Sequence, residues 1–182
     1  AITNLVTNPS FESGLASWGV SSAYTTMAQG TGSTPAGTKY IQITRSAAGD
    51  AYGAWTSGTT PPPNTPYTLS FWIWADSSTT LNGAILFRTS DSGVCCSNLA
   101  TISNQPVTTT PTRVVMSGTT GSNPTTGLQI ITRVTAVVGQ NVYYDGFMIT
   151  QGSNSYTYAD GNSTDWVWTG TANLSTSTGP PL

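Results

Sequence analysis

The chain has 182 residues, a formal net charge of −2 and a charged fraction of only 7%, against about 25% in an ordinary soluble domain. Its five basic residues are scattered, so the basic footprint that nucleic-acid binding requires is absent. No apolar run approaches the roughly 18 residues of a membrane-spanning helix. Hydroxyl and amide side chains supply the polarity instead, which is typical of a β-rich extracellular or structural domain.

The first residues, AITNLVTNPSFE, run directly into sequence with the character of a folded domain. No positively charged start precedes an apolar stretch there, so these residues are not a secretory signal. We therefore expect the chain to be part of a longer protein.

Short runs with a period of two recur along the chain, separated about every ten residues by turn signals rich in Pro, Gly and Asn. No window has the periodicity of an amphipathic helix. Many strands at this spacing predict an all-β fold, an antiparallel β-sandwich of the jelly-roll type. The predicted strands are 2–6, 22–29, 38–44, 51–57, 67–75, 84–90, 99–103, 112–118, 127–136, 141–150 and 165–169.

The composition changes near residue 153, where hydrophobic residues become fewer and Ser, Thr and Gly more frequent. We therefore predict a jelly-roll domain over residues 1–152 and a C-terminal extension over residues 153–182. The extension is expected to leave the sandwich, although its aromatic residues indicate that it docks somewhere.

The predicted strand at 67–75 alternates strictly, and its two faces differ. One face carries ordinary apolar core residues, and the other carries Trp72 and Trp74, about 6–7 Å apart at a rise of ~3.3 Å per residue. Aromatic rings bind the apolar C–H faces of sugars, so the pair suits a sugar platform. Gln129 and Arg133 are expected to supply polar partners if the strands align. The alternative is that the extension or another subunit covers this face.

The two cysteines, Cys95 and Cys96, are adjacent, which excludes a framework of spaced disulfides within the chain. Three arrangements stay open: reduced thiols in a loop, a vicinal disulfide, and pairing with other chains of an oligomer. Two cysteines without any histidine are too few for a structural zinc site.

Catalysis is disfavoured by the residue types that the chain lacks. The absence of histidine removes the commonest general base and excludes a Ser–His or Cys–His nucleophile within the chain. Most of the seven acidic residues lie in predicted turns, where Asp is a turn former. Glycoside hydrolysis needs two carboxyl groups facing one cleft. We therefore expect no enzymatic activity.

Two acidic residues do not fit the turn explanation. Asp145 lies on the more apolar face of the predicted strand at 141–150, and Glu12 directly follows Phe11, an expected core residue. A buried carboxylate is costly unless a cation or several donors compensate it. Two explanations stay open: a hard ion such as Ca²⁺, which oxygen atoms ligate, or a hydrogen-bonded Asp together with an exposed Glu.

The opening stretch NLVTNPSFESGLASW, residues 4–18, resembles the start of carbohydrate-binding modules of the family 4, 9 and 22 type. GTKYIQIT at 37–44, YTLSFWIWA at 67–75 and NVYYDGFMI at 141–149 resemble later strands of these modules. The likeness covers about residues 2–150, and it implies a β-jelly roll that binds glycan.

Modules of this type often carry a structural calcium ion near the first and last strands. Transferred residue by residue, the resemblance implies calcium ligands at Glu12 and Asp145, with backbone oxygen atoms near Asn8 and Lys39. The chain departs from the pattern at Gly146, where the modules often have a second acidic residue. The expected calcium affinity is lower for that reason.

The extension carries a second resemblance. YADGNSTDWVWTGTANLSTS, residues 158–177, is similar to a sequence that follows such jelly rolls in minor tail proteins of phages infecting actinobacteria. The shared core is Tyr-x-Asp-Gly, a polar spacer, then Trp-Thr-Gly-Thr and Ser-Thr-Ser. The chain departs from it at Ala159 and Asn173, where an aromatic residue and a histidine are more frequent.

Together the resemblances imply a non-catalytic domain of the virion tail, outside the cell. Trp72 and Trp74 would stack on sugar rings, and Gln129 and Arg133 would bond hydroxyl groups. Expected partners are host cell-wall glycan, other phage tail proteins and further copies of the chain in a homo-oligomer, without nucleic acid or membrane insertion. Two alternatives stay open: a tail assembly domain that binds no sugar, and a carbohydrate-binding module of a secreted bacterial glycoside hydrolase.

Overall fold

The computed structural model describes the whole chain, residues 1–182, and it contains fifteen β-strands. None of its elements is a helix long and apolar enough to cross a membrane. The strands are β1 (Ile2–Asn4), β2 (Trp18–Val20), β3 (Thr25–Thr31), β4 (Lys39–Arg45), β5 (Tyr52–Thr56), β6 (Pro66–Ala75), β7 (Thr79–Thr80), β8 (Ala84–Asp91), β9 (Val94–Ser103), β10 (Pro106–Val107), β11 (Thr112–Thr119), β12 (Gln129–Arg133), β13 (Asn141–Gln151), β14 (Val167–Trp168) and β15 (Ser177–Gly179).

The strands form two five-stranded antiparallel sheets and two small ones. The first large sheet has the order β11-β6-β13-β4-β3, and the second has the order β2-β5-β12-β8-β9. One small sheet has the order β1-β15-β14, and the other pairs β10 with β7. The predicted all-β antiparallel sandwich is confirmed, since strands with one apolar face bury it by stacking two sheets against each other.

The core lies between the two large sheets and consists of one cluster of 25 buried residues. Its centre is aromatic, because Phe71 of β6 stacks on Phe147 of β13 at 5.1 Å and Phe11 meets Phe147 edge-on at 6.0 Å. β6 supplies alternate residues to this core, including Leu69 and Ile73. A slip of one residue would expose this whole set, so burial specifies the register of β6.

Residues 153–182 return to the sandwich. β15 pairs with β1, which sets Gly179 opposite Ile2. Trp166 is buried in a small cluster with Met148 of β13. The segment therefore does not leave the sandwich. Three of its aromatic residues dock against the first sheet, namely Tyr156, Tyr158 and Trp166. Trp168 packs within the segment itself. The division at residues 152 and 153 stays a prediction.

One buried side chain, that of Asn4, ties this segment to the sandwich. Its Nδ2 atom donates to the carbonyl oxygen atoms of Phe147 and Ala159, both at 3.1 Å. Its Oδ1 atom accepts hydrogen bonds from the N–H groups of Val6 and Ile149. All the hydrogen-bonding capacity of the amide is used, which is what a fully buried Asn requires.

The hairpin of β8 and β9 is longer than predicted. The expected strand at 99–103 begins already at Val94 and includes both cysteines. Cys95 and Cys96 are bonded to each other across a cis peptide bond, so the structure shows the vicinal disulfide among the three open arrangements. The arrangement with reduced thiols in a loop is not the one observed, since only Ser92 and Gly93 form the turn between β8 and β9.

Candidate functional site

Trp72 and Trp74 project from β6 on the outer face of the first sheet, away from the core, as the alternation predicts. Both side chains are half-buried. The strand register sets Arg113 and Asp145 opposite Trp72, and Tyr143 opposite Trp74. The two indole rings therefore have different neighbours: charged or acidic side chains beside Trp72, and an aromatic ring beside Trp74.

The ring of Trp72 is covered by an arginine and by the C-terminal extension. The guanidinium carbon of Arg113 lies 4.4 Å from the ring centroid, and Tyr158 packs edge-on at 6.1 Å. Arg113 is held there because its Nη2 atom donates to Ser70 Oγ and Tyr156 O, each at 2.7 Å. Cover by the extension, which the sequence left open as an alternative, is thus observed for Trp72.

Trp74 belongs to an aromatic cluster with Tyr40 and Tyr143 on the same face. The ring centroid of Trp74 lies 5.4 Å from that of Tyr40 and 5.6 Å from that of Tyr143. The two tyrosine rings meet edge-on at 5.4 Å. All three side chains are half-buried, so their outer edges remain accessible to a ligand.

Gln129 and Arg133 lie on β12, in the second sheet. The expectation that they align with the tryptophans is wrong, since β12 pairs with β5 and β8 whereas β6 pairs with β11 and β13. Alternation along a strand shows which residues share a face, but it does not show which sheet contains the strand. The four residues predicted to bind sugar therefore form two groups on opposite sides of the sandwich.

A second group of side chains surrounds Gln129 and Arg133. Gln129 Oε1 accepts a hydrogen bond from Arg88 Nε at 2.6 Å, because the two residues face each other across β12 and β8. The guanidinium carbon of Arg133 lies 5.9 Å from the ring centroid of Tyr52 on β5. We call this group the second-sheet face; it comprises Asp50, Tyr52, Arg88, Gln129 and Arg133.

Sequence reasoning assigned no site role to Tyr52 or Arg88. The alternation in GAILFRTS does place Arg88 with Ala84 and Leu86 on one face of a strand. The missing information was the pairing of β8 and β5 with β12, which joins residues 41 positions apart at Arg88–Gln129 and 81 positions apart at Tyr52–Arg133. Such long-range pairing leaves no local signal in a single sequence.

Two arginines and one carboxylate share the second-sheet face. Desolvation lowers the pKa of Arg88, and the charge of Arg133 lowers it further, whereas Tyr52 and Asp50 raise it. Arg133 Nη1 forms an ion pair with Asp50 Oδ1 at 2.7 Å, and Arg88 has no carboxylate partner. Because arginine remains protonated in proteins, the face carries an excess of positive charge.

Asp145 is fully buried where β13 bulges. Its Oδ2 atom accepts a hydrogen bond from the Ala36 N–H group at 3.0 Å, and its Oδ1 atom has no hydrogen-bond partner. Desolvation raises the pKa of this carboxyl group to about 8, and the charge of Glu12 also raises it. A buried oxygen atom without a donor, on a carboxyl group whose charge is disfavoured, fits a bound cation.

Of the other residues expected near the metal, only Glu12 offers a carboxylate to a cation. Glu12 Oε1 accepts a hydrogen bond from the Thr38 N–H group at 2.7 Å. The ligands expected near Asn8 and Lys39 are backbone oxygen atoms, and the carbonyl oxygen of Asn8 accepts a hydrogen bond from Trp18 Nε1 at 3.3 Å. The side-chain amide of Asn8 and the ammonium group of Lys39 are occupied by other protein groups. No three His, Cys, Asp or Glu side chains come together in the structure. A cation would therefore take two carboxyl groups and backbone oxygen atoms, a donor set that suits Ca²⁺.

A family model described as a carbohydrate binding domain, CBM_4_9, matches residues 3–136. No curated protein matches the chain. The xylan-binding domain CBM22-1 of Xyn10C from Paenibacillus barcinonensis is similar in structure, with a TM-score of 0.65 and 12% identity, over 85% of this chain and 97% of that chain. A CBM4 structure has a TM-score of 0.58 and 18% identity, over 78% of this chain and 99% of that chain.

The enzymatically active domain of tailspike protein 4 from bacteriophage CBA120 is also similar. Its TM-score is 0.60 at 19% identity, and the likeness covers 82% of this chain but only 21% of that chain. At these identities the similarities to solved structures show the jelly-roll fold alone.

Proposed function

The chain belongs to the carbohydrate-binding domain family whose model spans its residues 3–136, and on that premise we propose that it binds sugar through the second-sheet face. The observation that carries this assignment is the grouping of one aromatic ring, one amide and two guanidinium groups on a single outward sheet surface. No residue of 153–182 hydrogen-bonds or stacks with a member of this face.

The chemistry of the face matches that of a sugar ring. Tyr52 offers an aromatic surface for the apolar C–H side of the ring. Gln129 and the arginines offer donors and an acceptor for hydroxyl groups at the ring edge, where each hydrogen bond to a charged donor contributes about 1.5–3 kcal/mol. The hydrogen bond between Arg88 and Gln129 orients both side chains before a ligand arrives.

The face binds without catalysing a reaction. Its one carboxylate, Asp50, is already paired with Arg133, and no second carboxyl group or histidine accompanies it. Glycoside hydrolysis requires a pair of carboxyl groups that flank the bond to be cleaved. Carbohydrate-binding modules are non-catalytic, and this chain belongs to such a family.

A second surface competes for the sugar-binding role. Trp72 and Trp74 remain candidates on the outer face of the first sheet, and the cluster of Trp74, Tyr40 and Tyr143 is its more accessible part. Arg113 and Tyr158 lie over Trp72, so a ligand has less of that ring to contact.

Host attachment by a phage tail is the finer function that we propose. The similarity of residues 158–177 to minor tail proteins supports it, and the glycan would then belong to the host envelope. In an oligomeric tail, several weak sites acting together would raise the avidity about 10²–10⁴-fold. A tail assembly domain without sugar binding and a module of a secreted glycoside hydrolase are the alternatives.

A calorimetric titration of the folded chain with host-wall polysaccharide tests whether the second-sheet face binds sugar. We expect Tyr52→Ala and Gln129→Ala to weaken binding about tenfold or more, and the double variant Trp72→Ala, Trp74→Ala to leave it nearly unchanged. The opposite result would assign the sugar to the first sheet. Wild-type protein that binds no wall polysaccharide would favour the assembly role.

We also propose that the chain holds a structural Ca²⁺ ion at Asp145 and Glu12. The ion would supply positive charge beside two carboxyl groups, one of which is buried. Asp145 lies on β13, and Glu12 lies in the segment that follows β1, so both side chains together would hold the first and last parts of the sandwich to one point. Backbone oxygen atoms would complete the ligand set.

A further inference from the structure

The second-sheet face concentrates positive charge in a chain that has little. Arg88 and Arg133 are two of only five basic residues, and the net charge of the chain is −2. The nearby carboxylate of Asp50 pairs with Arg133, but the Asp50 side chain is 74% exposed. Water and salt screen such a pair strongly, so Asp50 neutralises the face only in part.

Arg88 also differs from the other arginines that are shielded from water. Arg45 donates three hydrogen bonds to backbone carbonyl groups, and Arg113 donates to a backbone carbonyl group and a serine hydroxyl. Each of these two arginines therefore ties separate segments together. Arg88 donates a single hydrogen bond, from Nε to the Gln129 side chain, and its two Nη groups donate to no protein atom.

The Nη groups of Arg88 contact solvent and are free to donate to a ligand, whereas Nη1 of Arg113 is buried without a partner. A guanidinium on an outward face gains most from a ligand group that brings an opposite charge. The planar guanidinium presents two parallel N–H donors that match two oxygen atoms of a carboxylate or a phosphate. A neutral hydroxyl group accepts one such bond and brings no compensating charge.

We propose that the second-sheet face selects glycans that carry an anionic group, a uronic-acid carboxylate or a sugar phosphate, and that Arg88 holds this group. The inference rests on the proposed function and names the ligand class of the same site. Gln129 orients Arg88 through its Nε atom, which leaves the Nη groups for the ligand. Arg133 adds a second positive charge, and Tyr52 beside it offers a ring to the adjoining sugar.

A glycan array tests the ligand class. It carries pairs of glycans with the same backbone, with and without uronic acid or phosphate, and it is probed with the complete folded chain. We expect binding to the anionic member of each recognised pair. Calorimetry then compares the strongest binder with its carboxyl-reduced or dephosphorylated form, for which we expect about tenfold weaker binding. These two treatments distinguish a carboxylate from a phosphate.

Two variants locate the selection at this face. Arg88→Gln should weaken binding of the anionic glycan about tenfold more than it weakens binding of the neutral form. Asp50→Asn should strengthen binding of the anionic glycan, because it removes the competing carboxylate. The matched control is Asp76→Asn, an equal charge change at an exposed site outside the face, which should leave binding unchanged. If Arg88→Gln lowers the melting temperature strongly, the comparison of Asp50→Asn with Asp76→Asn, both at exposed positions, tests whether this face selects the anionic group.

The outcomes separate this inference from the proposed function. Equal affinity for the anionic and neutral forms overturns the inference. It is also overturned if folded Arg88→Gln protein keeps the anionic preference, or if Asp50→Asn leaves the affinity for the anionic glycan unchanged. The proposed function stands in those cases. Wild-type protein that binds no glycan on the array overturns both.

Discussion

Asp145 is a carboxyl group whose burial is compensated on only one of its two oxygen atoms. Ala36 donates to Oδ2, while Oδ1 faces no donor. Its raised pKa means that the metal-free folded state retains a proton that the unfolded chain releases. The stability of the domain therefore depends on pH and on any cation at this position.

In the presence of a chelator, we expect the free energy of unfolding to fall as the pH rises from about 4 to about 8. The folded-state pKa of Asp145, about 8, lies above the value of about 3.9 in an unfolded chain, so the native state binds the extra proton. The advantage is complete below about pH 4 and is lost as the pH rises through the folded-state pKa. Thermal melts across this range measure the trend.

Excess Ca²⁺ is the control for this trend, and it should raise the melting temperature at pH 7 and flatten the pH dependence. Asp145→Asn should abolish both effects, whereas Asp76→Asn, which alters an exposed carboxyl group, should preserve them. A melting temperature that is the same in chelator and in Ca²⁺ would contradict the calcium proposal.

Gly37 leaves the space that the Glu12 carboxylate occupies, and a matched pair of glycine variants tests what this space contributes to stability. Gly37 has φ of +70°, and a Cβ atom there would overlap Glu12 Oε1; Gly14 has φ of +69° and open space around the same position. We expect Gly37→Ala to destabilise the fold by about 0.5–1.5 kcal/mol more than Gly14→Ala. Both share the backbone penalty, and only the first displaces the Glu12 carboxylate from its hydrogen bond with the Thr38 N–H group. Denaturant titration compares them. Equal losses would show that the position of Glu12 does not matter for stability.

Single residues differed in how much the sequence revealed of them. Asp145 was identified because the period-two pattern placed a carboxyl group on the apolar face of its strand, and its burial is confirmed. The predicted face was wrong, since Asp145 lies opposite Trp72 on the outer face. The bulge that follows Asp145 shifts Phe147 and Ile149 onto the core face. Arg88 carries no such mark, because an arginine on an outward face is ordinary. Its importance depends on having no protein partner for its Nη groups, which is a property of the folded neighbourhood alone.

At the scale of elements, the alternation within strands was predictable and the partnership between them was not. β6 buries the face that its sequence predicts. The alternation of β12 likewise placed Gln129 and Arg133 outward. β6 and β12 nevertheless belong to different sheets, since a jelly roll sends consecutive strands across the sandwich. A site assembled from two strands therefore required a pairing that period-two patterns do not encode.

The junction of β1, β13 and the extension depends on Asn4. We expect Asn4→Ala to destabilise the fold by about 3 kcal/mol, because it removes four hydrogen bonds and leaves buried backbone groups without partners. Asn154→Ala, an exposed change in the extension, should cost no more than about 0.5 kcal/mol. Chemical denaturation measures both. A loss at Asn4 as small as that at Asn154 would show that this junction contributes little.

At the scale of the whole molecule, the extension and the sandwich share one packed structure. Trp166 joins Met148 of β13, and β15 pairs with β1, so unfolding of residues 153–182 would expose groups of the sandwich. We expect calorimetry to show a single transition with equal calorimetric and van't Hoff enthalpies. Two transitions would instead support an independently folding jelly roll over residues 1–152.

The fold class was the most predictable property of the molecule. Composition, turn spacing and period-two strands together exclude helices and favour a sandwich, and each is readable locally. The docking of 153–182 was less predictable, because its polar composition resembles that of a linker. Its few aromatic residues, Trp166 among them, are what anchor it.

The pairing of Ile2 with Gly179 brings the two ends of the polypeptide within neighbouring-strand distance, about 4.8 Å apart between strand axes. Any segments joined before and after this stretch would enter and leave at the same pole. A domain joined at both ends would then have its two attachment points side by side. Grafting it into a surface turn of an unrelated scaffold would need little respacing of the host backbone.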